Sequence, residues 1–323
     1  MQRRTLNLLA AAALLAGAFS AHAQPAFPAQ PVKWVVPYAP GGTTDVIARN
    51  LAVRMGQDLG QPVIIDNKPG AASIIGATFI ARSAPDGYTV GTADSGTLAF
   101  NPAMYSSLTY NADKDFTLIG GLGRMPLVLA VHPSFPAKDM KEFLAQARKA
   151  PGSISSASSG PGSPLHVALE LFKQRTQTDI LHVAYKGSAP ALQDLMAGQV
   201  QSMFVDLPPS LSLIKSGKIR VLAVATPQRL AILPDVPTMA EAGFPFEAYA
   251  WQGFVGPAKM PSVVVDRLNR DLLAALKDPT VRGKLEDLGI QPMAMTPQQF
   301  ADFTRSEQKL WADVIKAANI RLD

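Results

Sequence analysis

The 323-residue sequence contains no cysteine. That removes disulfide staples, thiol nucleophiles and thiolate metal sites together, so an exported chain of this length has to rest on its core. With 47% hydrophobic residues such a core can form without staples. Histidine is also scarce, with four in the whole chain. Beyond the first 23 residues only His132, His166 and His182 remain, none paired at the close spacing of a metal site, which argues against zinc. No G-x-S-x-G elbow is present, and neither G-x-x-x-x-G-K-[ST] nor G-x-G-x-x-G occurs, so the usual signatures of serine hydrolases, triphosphate loops and dinucleotide sites are all missing. Strong charge of one sign is missing too. The formal net charge is +5, falling to +3 without Arg3 and Arg4, and long basic runs are absent, so nucleic acid is excluded as a natural partner.

One apolar run stands out, from Leu8 to Phe19, preceded by Arg3 and Arg4 and followed by "SAHAQ". It is shorter than the roughly 20 residues of a membrane-spanning helix, and Ala21 and Ala23 fit an A-x-A cleavage site. Residues 1–23 therefore read as a secretory signal peptide cleaved after Ala23, which places the mature protein in the periplasm. An uncleaved anchor and twin-arginine export are the alternatives, and both keep the chain outside the cytoplasm. The remaining 300 residues are enough for two domains of ordinary size.

From Val32 onward, short apolar runs alternate with helical patterns, the grammar of β-α-β units and an α/β fold. "KWVVPY" reads as a strand, and the next segment places Ile47, Leu51, Met55 and Leu59 on one helical stripe, with Arg49, Arg54 and Asp58 on the other face. "PVIIDN" and "YTVGTAD" are further strands around the helix "AASIIGATFIARS". Near Gly123 to Pro126 the chain crosses into a second half built the same way: helix "MKEFLAQARKA", strand "GSISSAS", helix "PLHVALELFKQRT", strand "ILHVAY", helix "SAPALQDLMAG", then strands "VQSMFVD" and "VLAVAT". "GFPFEAYAWQGFVGP" is the return crossing, and helices around 262–277 and 297–318 pack back on the first half. The expected division is residues 24–125 plus 247–323 for lobe 1 and 126–246 for lobe 2.

Three loops could do chemistry. In "VVPYAPGGTTDVIAR", Gly41 and Gly42 permit a sharp turn and close approach of a ligand, while Thr43 and Thr44 can cap the helix that follows. A helix start offers unpaired N–H groups and a positive dipole end, hence an anion site; the competing reading is an ordinary capped turn. Asp45 suits the first helical turn and can fix the loop by accepting backbone N–H bonds. The missing lysine and glycine spacing exclude phosphate, and a carboxylate needs fewer donors. "SSASSGPGSPLHVALELF" repeats the design with Ser158, Ser159 and Gly160, and with Pro164 in the first helical turn. "ADSGTLAFNPAMY" adds Ser95, Thr97 and Asn101; His166 lies in the first turn of the helix after the second loop, and Tyr185 and Asp206 follow predicted strand ends. Two glycine-serine loops, each at the carboxyl end of a strand, point to a cleft between lobes. As isolated residues, His166 reads equally as structural, and Tyr185 and Asp206 read more often as structural than as ligand contacts.

"VPYAPGGTTDVIAR", "IIDNKPGAASIIGATFIARSAPDGYT", "VAYKGSAPALQDLMAGQVQSMF" and "ILPDVPTMAEAG" resemble the hallmark segments of the Bug family, the TctC-like periplasmic binding proteins of tripartite tricarboxylate transporters. The resemblance covers nearly the whole mature chain. It implies a two-lobed periplasmic binding protein fold (type II-like) closing on a small carboxylate gripped by main-chain N–H groups, hydroxyls and ordered waters. Carried over, the ligand-binding residues would be Tyr38, Ala39, Gly41, Gly42, Thr43, Asp45, Ser95, Thr97, Asn101, Ser158, Ser159, Gly160, His166, Tyr185 and Asp206. The implied partners are the ligand and the transporter's membrane components, with no cofactor and a monomeric chain. The rival readings are an exported hydrolase or transferase using the same cleft, and a ligand-presenting partner of a membrane sensor.

Overall fold

The computed structural model describes residues 27–322. The signal-peptide reading of residues 1–23 lies outside the described residues. In chain order the strands are β1 (Val32–Val36), β2 (Val63–Asn67), β3 (Thr89–Asp94), β4 (Phe116–Val131), β5 (Ser155–Ser158), β6 (Leu181–Ala184), β7 (Ser202–Asp206), β8 (Arg220–Val224), β9 (Tyr249–Pro257) and β10 (Gln291–Pro292). The helices are α1 (Thr43–Leu59), α2 (Ile74–Ala81), α3 (Asn101–Met104, entered through a π-turn over Gly96–Phe100), α4 (Met140–Lys149), α5 (Pro164–Thr176), α6 (Ser188–Met196), α7 (Leu207–Lys215), α8 (Ser262–Lys277), α9 (Pro279–Glu286) and α10 (Pro297–Ala317).

The long strand β4 is the spine of an α/β, two-lobed architecture. Its first part, Phe116 to Pro126, pairs antiparallel with β9, and β9 in turn pairs with β3, which continues to β1 and β2 in parallel. Its last part, Leu127 to Val131, pairs antiparallel with β7 on one edge, while β8 takes Val128 to Val131 on the other. From β7 the second sheet continues in parallel through β5 to β6.

Register then locates the cleft. Asp94, the last residue of β3, faces Gln252 of β9, which faces Gly123 of β4. Asp206, the last residue of β7, faces Leu127. The parallel strands of the two sheets run toward each other along β4 and stop four residues apart, about 13 Å of strand. Parallel α/β sheets bind ligands at such carboxyl ends, and the switch between sheets here falls on the same short stretch of β4.

The stripe read from the sequence packs as expected. Ile47, Leu51 and Met55 of α1 are fully buried, and Leu59 nearly so, in a core shared with Trp34 of β1, Phe254 of β9 and Leu268 and Leu272 of α8. Period-2 alternation splits β1 between layers: Val32, Trp34 and Val36 join that core, and Val35 joins the other. The second core contains Ile80 of α2, Phe300, Trp311 and Ile315 of α10, and the second lobe's interior, including Phe143 of α4, Phe172 of α5 and Phe204 of β7. The final helix therefore packs on more than the first half alone: Gln174 of α5 donates to the Val314 carbonyl at 3.2 Å. The close approach of α10 to β9 depends on Gly253, where an added Cβ would lie 1.9 Å from Phe300 Cζ.

Candidate functional site

The first loop leaves β1 at Val36, and residues 39–42 are exposed to solvent. Gly41 takes φ 85°, a left-handed conformation that favours glycine. The threonines do not cap α1. Gly42 occupies the N-cap position in an extended conformation without a side-chain cap, and Thr44 Oγ1 instead accepts from Gln252 Nε2 at 2.7 Å, tying the helix start to β9. By contrast α4, α5 and α10 are capped by Asp139, Ser163 and Thr296. An uncapped first turn keeps N–H groups free to meet an anion.

Asp45, almost fully buried, holds this loop in shape. Its Oδ2 accepts from the Gly41 N–H at 2.9 Å and from Arg49 Nε at 2.8 Å, and its Oδ1 accepts from Asn67 Nδ2 at 2.9 Å. Asn67 also donates to the Tyr38 carbonyl at 3.0 Å. Burial works to raise the Asp45 pKa, but the bonds from Arg49, Gly41 and Asn67 outweigh it and hold the carboxyl at about 2.

A second hub forms at the end of β3. Asp94 accepts from the Tyr38 hydroxyl at one oxygen, and at the other from the Thr97 N–H and hydroxyl, both at 2.8 Å. Burial, then the Asp94 charge, raises the Tyr38 phenol well above its ordinary value, keeping it a neutral donor. Thr97 meets Ser73 Oγ at 2.8 Å, and Tyr110 OH donates to the Thr97 carbonyl at 2.9 Å. Asn101 donates to the Ala72 carbonyl at 3.1 Å and to Tyr110 at 3.2 Å. Two buried atoms beside this hub have no partner, Ser95 Oγ and Gln252 Oε1.

The second loop is stapled to β6. Tyr185 and Gly187 donate their N–H groups to the Ser158 and Ser159 carbonyls, both at 3.1 Å. Ser158 Oγ meets His182 Nε2 at 2.7 Å and also bonds across its own turn to Gly160. His166 accepts from the Gly162 N–H at 3.0 Å and stacks on His182 with centroids 3.8 Å apart and planes 9° from parallel. Burial, with help from His182 and Lys173, pushes His166 down to about 3, and burial first lowers His182 as well, so both rings stay neutral. Tyr185 OH donates to Asp194 at 2.6 Å. Asp206 ends β7 with a buried Oδ1 that has no partner, and burial pushes its carboxyl up to about 6.

The structure thus joins Tyr38, Gly41, Asp45, Thr97 and Asn101 through one bonded network at the ends of β1 and β3. Ser158, Ser159, Gly160, His166 and Tyr185 join through another at the ends of β5 and β6, and Asp206 stands apart at the end of β7. Asn67, Asp94, Gln252 and His182 are partners that the sequence reading missed. Asn67 and Asp94 each close a strand and precede a turn, a position that could have flagged them; Gln252 lies 208 residues beyond Thr44, with no local signal. Ser158 beside His182 has the atoms of a nucleophile and base, but the serine is fully buried and its hydroxyl is engaged within its own turn. Among the described residues no group of three or more His, Asp or Glu could hold a metal ion.

Comparison with known proteins bears on this arrangement. The family model for the tripartite tricarboxylate transporter family receptor matches residues 47–320. A UPF0065 protein from the tcbD-tcbE intergenic region of a Pseudomonas species is 37% identical over 96% of this chain and 93% of its own. Protein BugT of Bordetella pertussis is 36% identical, covering 92% and 91%. Among solved structures, one described as a periplasmic transporter superposes with TM-score 0.81 at 44% identity, covering 92% of this chain and 100% of that one. An R. palustris protein with adipate gives TM-score 0.81 at 36% identity, covering 91% and 99%. MatC from Rhodopseudomonas palustris with bound malate gives 0.77 at 35%, covering 90% and 100%.

Proposed function

The chain belongs to the tripartite tricarboxylate transporter receptor family, and we propose that it captures a small organic carboxylate in the periplasm and hands it to the membrane components of a tripartite transporter. It acts as a monomer and makes or breaks no bond. The observation that carries this reading is the uncapped start of α1 behind the exposed 39–42 turn, in a family whose solved members hold adipate and malate. One ligand carboxylate sits on the N–H groups of Gly42, Thr43 and Thr44 with the Thr43 hydroxyl, while Ser95, Ser159, Tyr185 and Asp206 line the remainder. Tyr38, Asp45, Thr97, Asn101, Ser158, Gly160 and His166 hold those donors in place.

We place the lobe divisions at 125/126 and 246/247, next to Pro126, the last β4 residue paired with β9, and Tyr249, the first residue of β9. An open form takes the ligand on the first loop, and contacts from the second lobe then shift the equilibrium toward closure. Charge-assisted hydrogen bonds contribute about 1.5–3 kcal/mol each, so a few support micromolar binding after the cost of association. Export ends with cleavage after Ala23, which mass spectrometry of the secreted chain reads directly.

A thermal-shift screen of carboxylates on the mature protein tests the function, because a ligand that binds the folded state alone raises the melting temperature. At least one carboxylate is expected to do so. A screen in which neutral sugars or cations shift the transition and no carboxylate does defeats the reading.

A further inference from the structure

Four aspartates stand at or beside the candidate cleft, and three of them accept at least one side-chain or backbone hydrogen bond. Asp45 accepts from Gly41, Arg49 and Asn67; Asp94 accepts from Tyr38 and twice from Thr97; Asp194 accepts from Tyr185. Asp206 is the exception. It sits at the N-cap position of α7, where an aspartate ordinarily accepts from the first turn, yet its side chain makes no cap bond. Its Oδ1 is closed off from solvent without a partner, and among the described residues no lysine, arginine or histidine forms an ion pair with it.

Asp206 is half-buried as a residue, but its Oδ1 is shut away with nothing to accept from, which is costly, and native folds leave such atoms only where something else completes them. Asp206 lies where β7 meets Leu127, four residues along β4 from the register position of Gln252 and the first-lobe donors. Two bare anions brought together there would repel. The group that completes Asp206 therefore has to be a hydrogen-bond donor, arriving on the same molecule whose carboxylate the first loop holds.

We propose that Asp206 sets ligand choice, selecting carboxylates that carry a hydroxyl or amino substituent over unsubstituted carboxylates of the same length. This rests on the carboxylate-receptor reading above. Selection of this kind is strong because the competitor lacking the donor leaves a buried acceptor unpaired, whereas an extra methylene changes affinity far less. An ammonium answers the Asp206 charge better than a hydroxyl does, so amino-substituted acids rank first.

The test is calorimetric titration at pH 7.5 of the wild-type mature protein and Asp206→Asn, using succinate, malate and aspartate, and adipate with 2-aminoadipate as the longer pair. Within at least one length series, wild type is expected to bind the donor-bearing acid about tenfold or more tightly than the bare one. Asp206→Asn, nearly the same shape, is expected to erase that gap by weakening the substituted acids while leaving the bare acids unchanged or tighter. A melting curve checks that the variant is folded, and Asp206→Glu, which retains the charge, is expected to retain part of the preference. Equal binding of bare and substituted acids, or equal weakening of both by Asp206→Asn, overturns the proposal and leaves the carboxylate reading standing. If none of these acids binds and a wider carboxylate screen is also silent, the functional reading fails and takes this inference with it.

Discussion

Replacing Asp45 with asparagine is the sharpest perturbation of the first loop, because it keeps the shape and changes only what the group can accept. Its three donors remain, and the new amide offers a donor of its own toward at least one of them. The carboxyl sits at about 2 in the fold against an ordinary 3.8. At 1.36 kcal/mol per unit the gap is worth ~2.4 kcal/mol, and screening at Arg49, whose side chain is 51% exposed, brings the expectation to about 1–2 kcal/mol. The folded value is depressed, so the contribution is fully present above pH 3.8 and is lost as pH falls toward 2. Urea titrations of wild type and Asp45→Asn should therefore differ by about 1–2 kcal/mol at pH 7 and by roughly half that at pH 3, with little change in slope. A difference that is the same at both pH values, or below about 0.5 kcal/mol at pH 7, refutes the charge-holding role. Carboxylate affinity should fall in the same variant, since Gly41 loses its anchor.

Other perturbations follow from the same geometry. Asp206 has a raised folded value, so wild type loses stability as pH rises from about 4 through 6; without ligand, Asp206→Asn should melt higher than wild type at pH 7.5, with the difference vanishing near pH 4. Equal melting temperatures at pH 7.5 would count against a bare, buried carboxylate. Glu307 of α10 accepts from both Trp251 Nε1 at 2.7 Å and Trp311 Nε1 at 2.9 Å, so Glu307→Leu strands two indole donors and should cost about 2–4 kcal/mol in urea, with altered tryptophan fluorescence. A loss under about 1 kcal/mol would show that the helix does not depend on that tie. At Gly42 an added Cβ meets only the Ala39 carbonyl at 3.8 Å; Gly42→Val should barely move the melting temperature yet weaken carboxylate binding by about tenfold or more, and unchanged affinity removes the backbone-grip mechanism.

Much of the fold was legible because it is written in local periodicity. The Ile47–Leu59 stripe, the alternation in "KWVVP" and the Gly-Pro breaks all act within a few residues, and the structure forms α1, β1 and the turns between elements accordingly. What escaped were elements whose signal is weak or whose cause is distant. The helix α7 opens on "LPP" directly after a strand, and β10 is two residues long and exists only because β4 lies beside it. The threonine cap was a fair local inference that lost to a contact 208 residues away, since Gln252 holds the Thr44 hydroxyl. The candidate site divides in the same manner: the glycine turn and its aspartate are neighbours in sequence, whereas Asp94 reaching Tyr38 and His182 stacking on His166 require the sheets to form first.

That division explains why the two jaws differ in kind. In the proposed site the first-jaw donors come from a helix start, whose N–H groups are fixed by backbone geometry and would read any carboxylate alike, so a glycine turn with one anchoring aspartate would be sufficient to specify it. Discrimination among carboxylates has to come from side chains facing the rest of the ligand. On the second jaw the histidine pair and Ser158 are already bonded to each other and to their own loop, and Tyr185 is turned to Asp194. Asp206, which ends β7 at the cleft end of the sheet, keeps a charged acceptor without a partner. A receptor assembled this way should keep its hold on the shared carboxylate when Asp206 is changed and lose its preference among substituents. It should lose both when Asp45 or Gly42 is changed, and titrating one bare and one substituted acid against all three variants separates these outcomes.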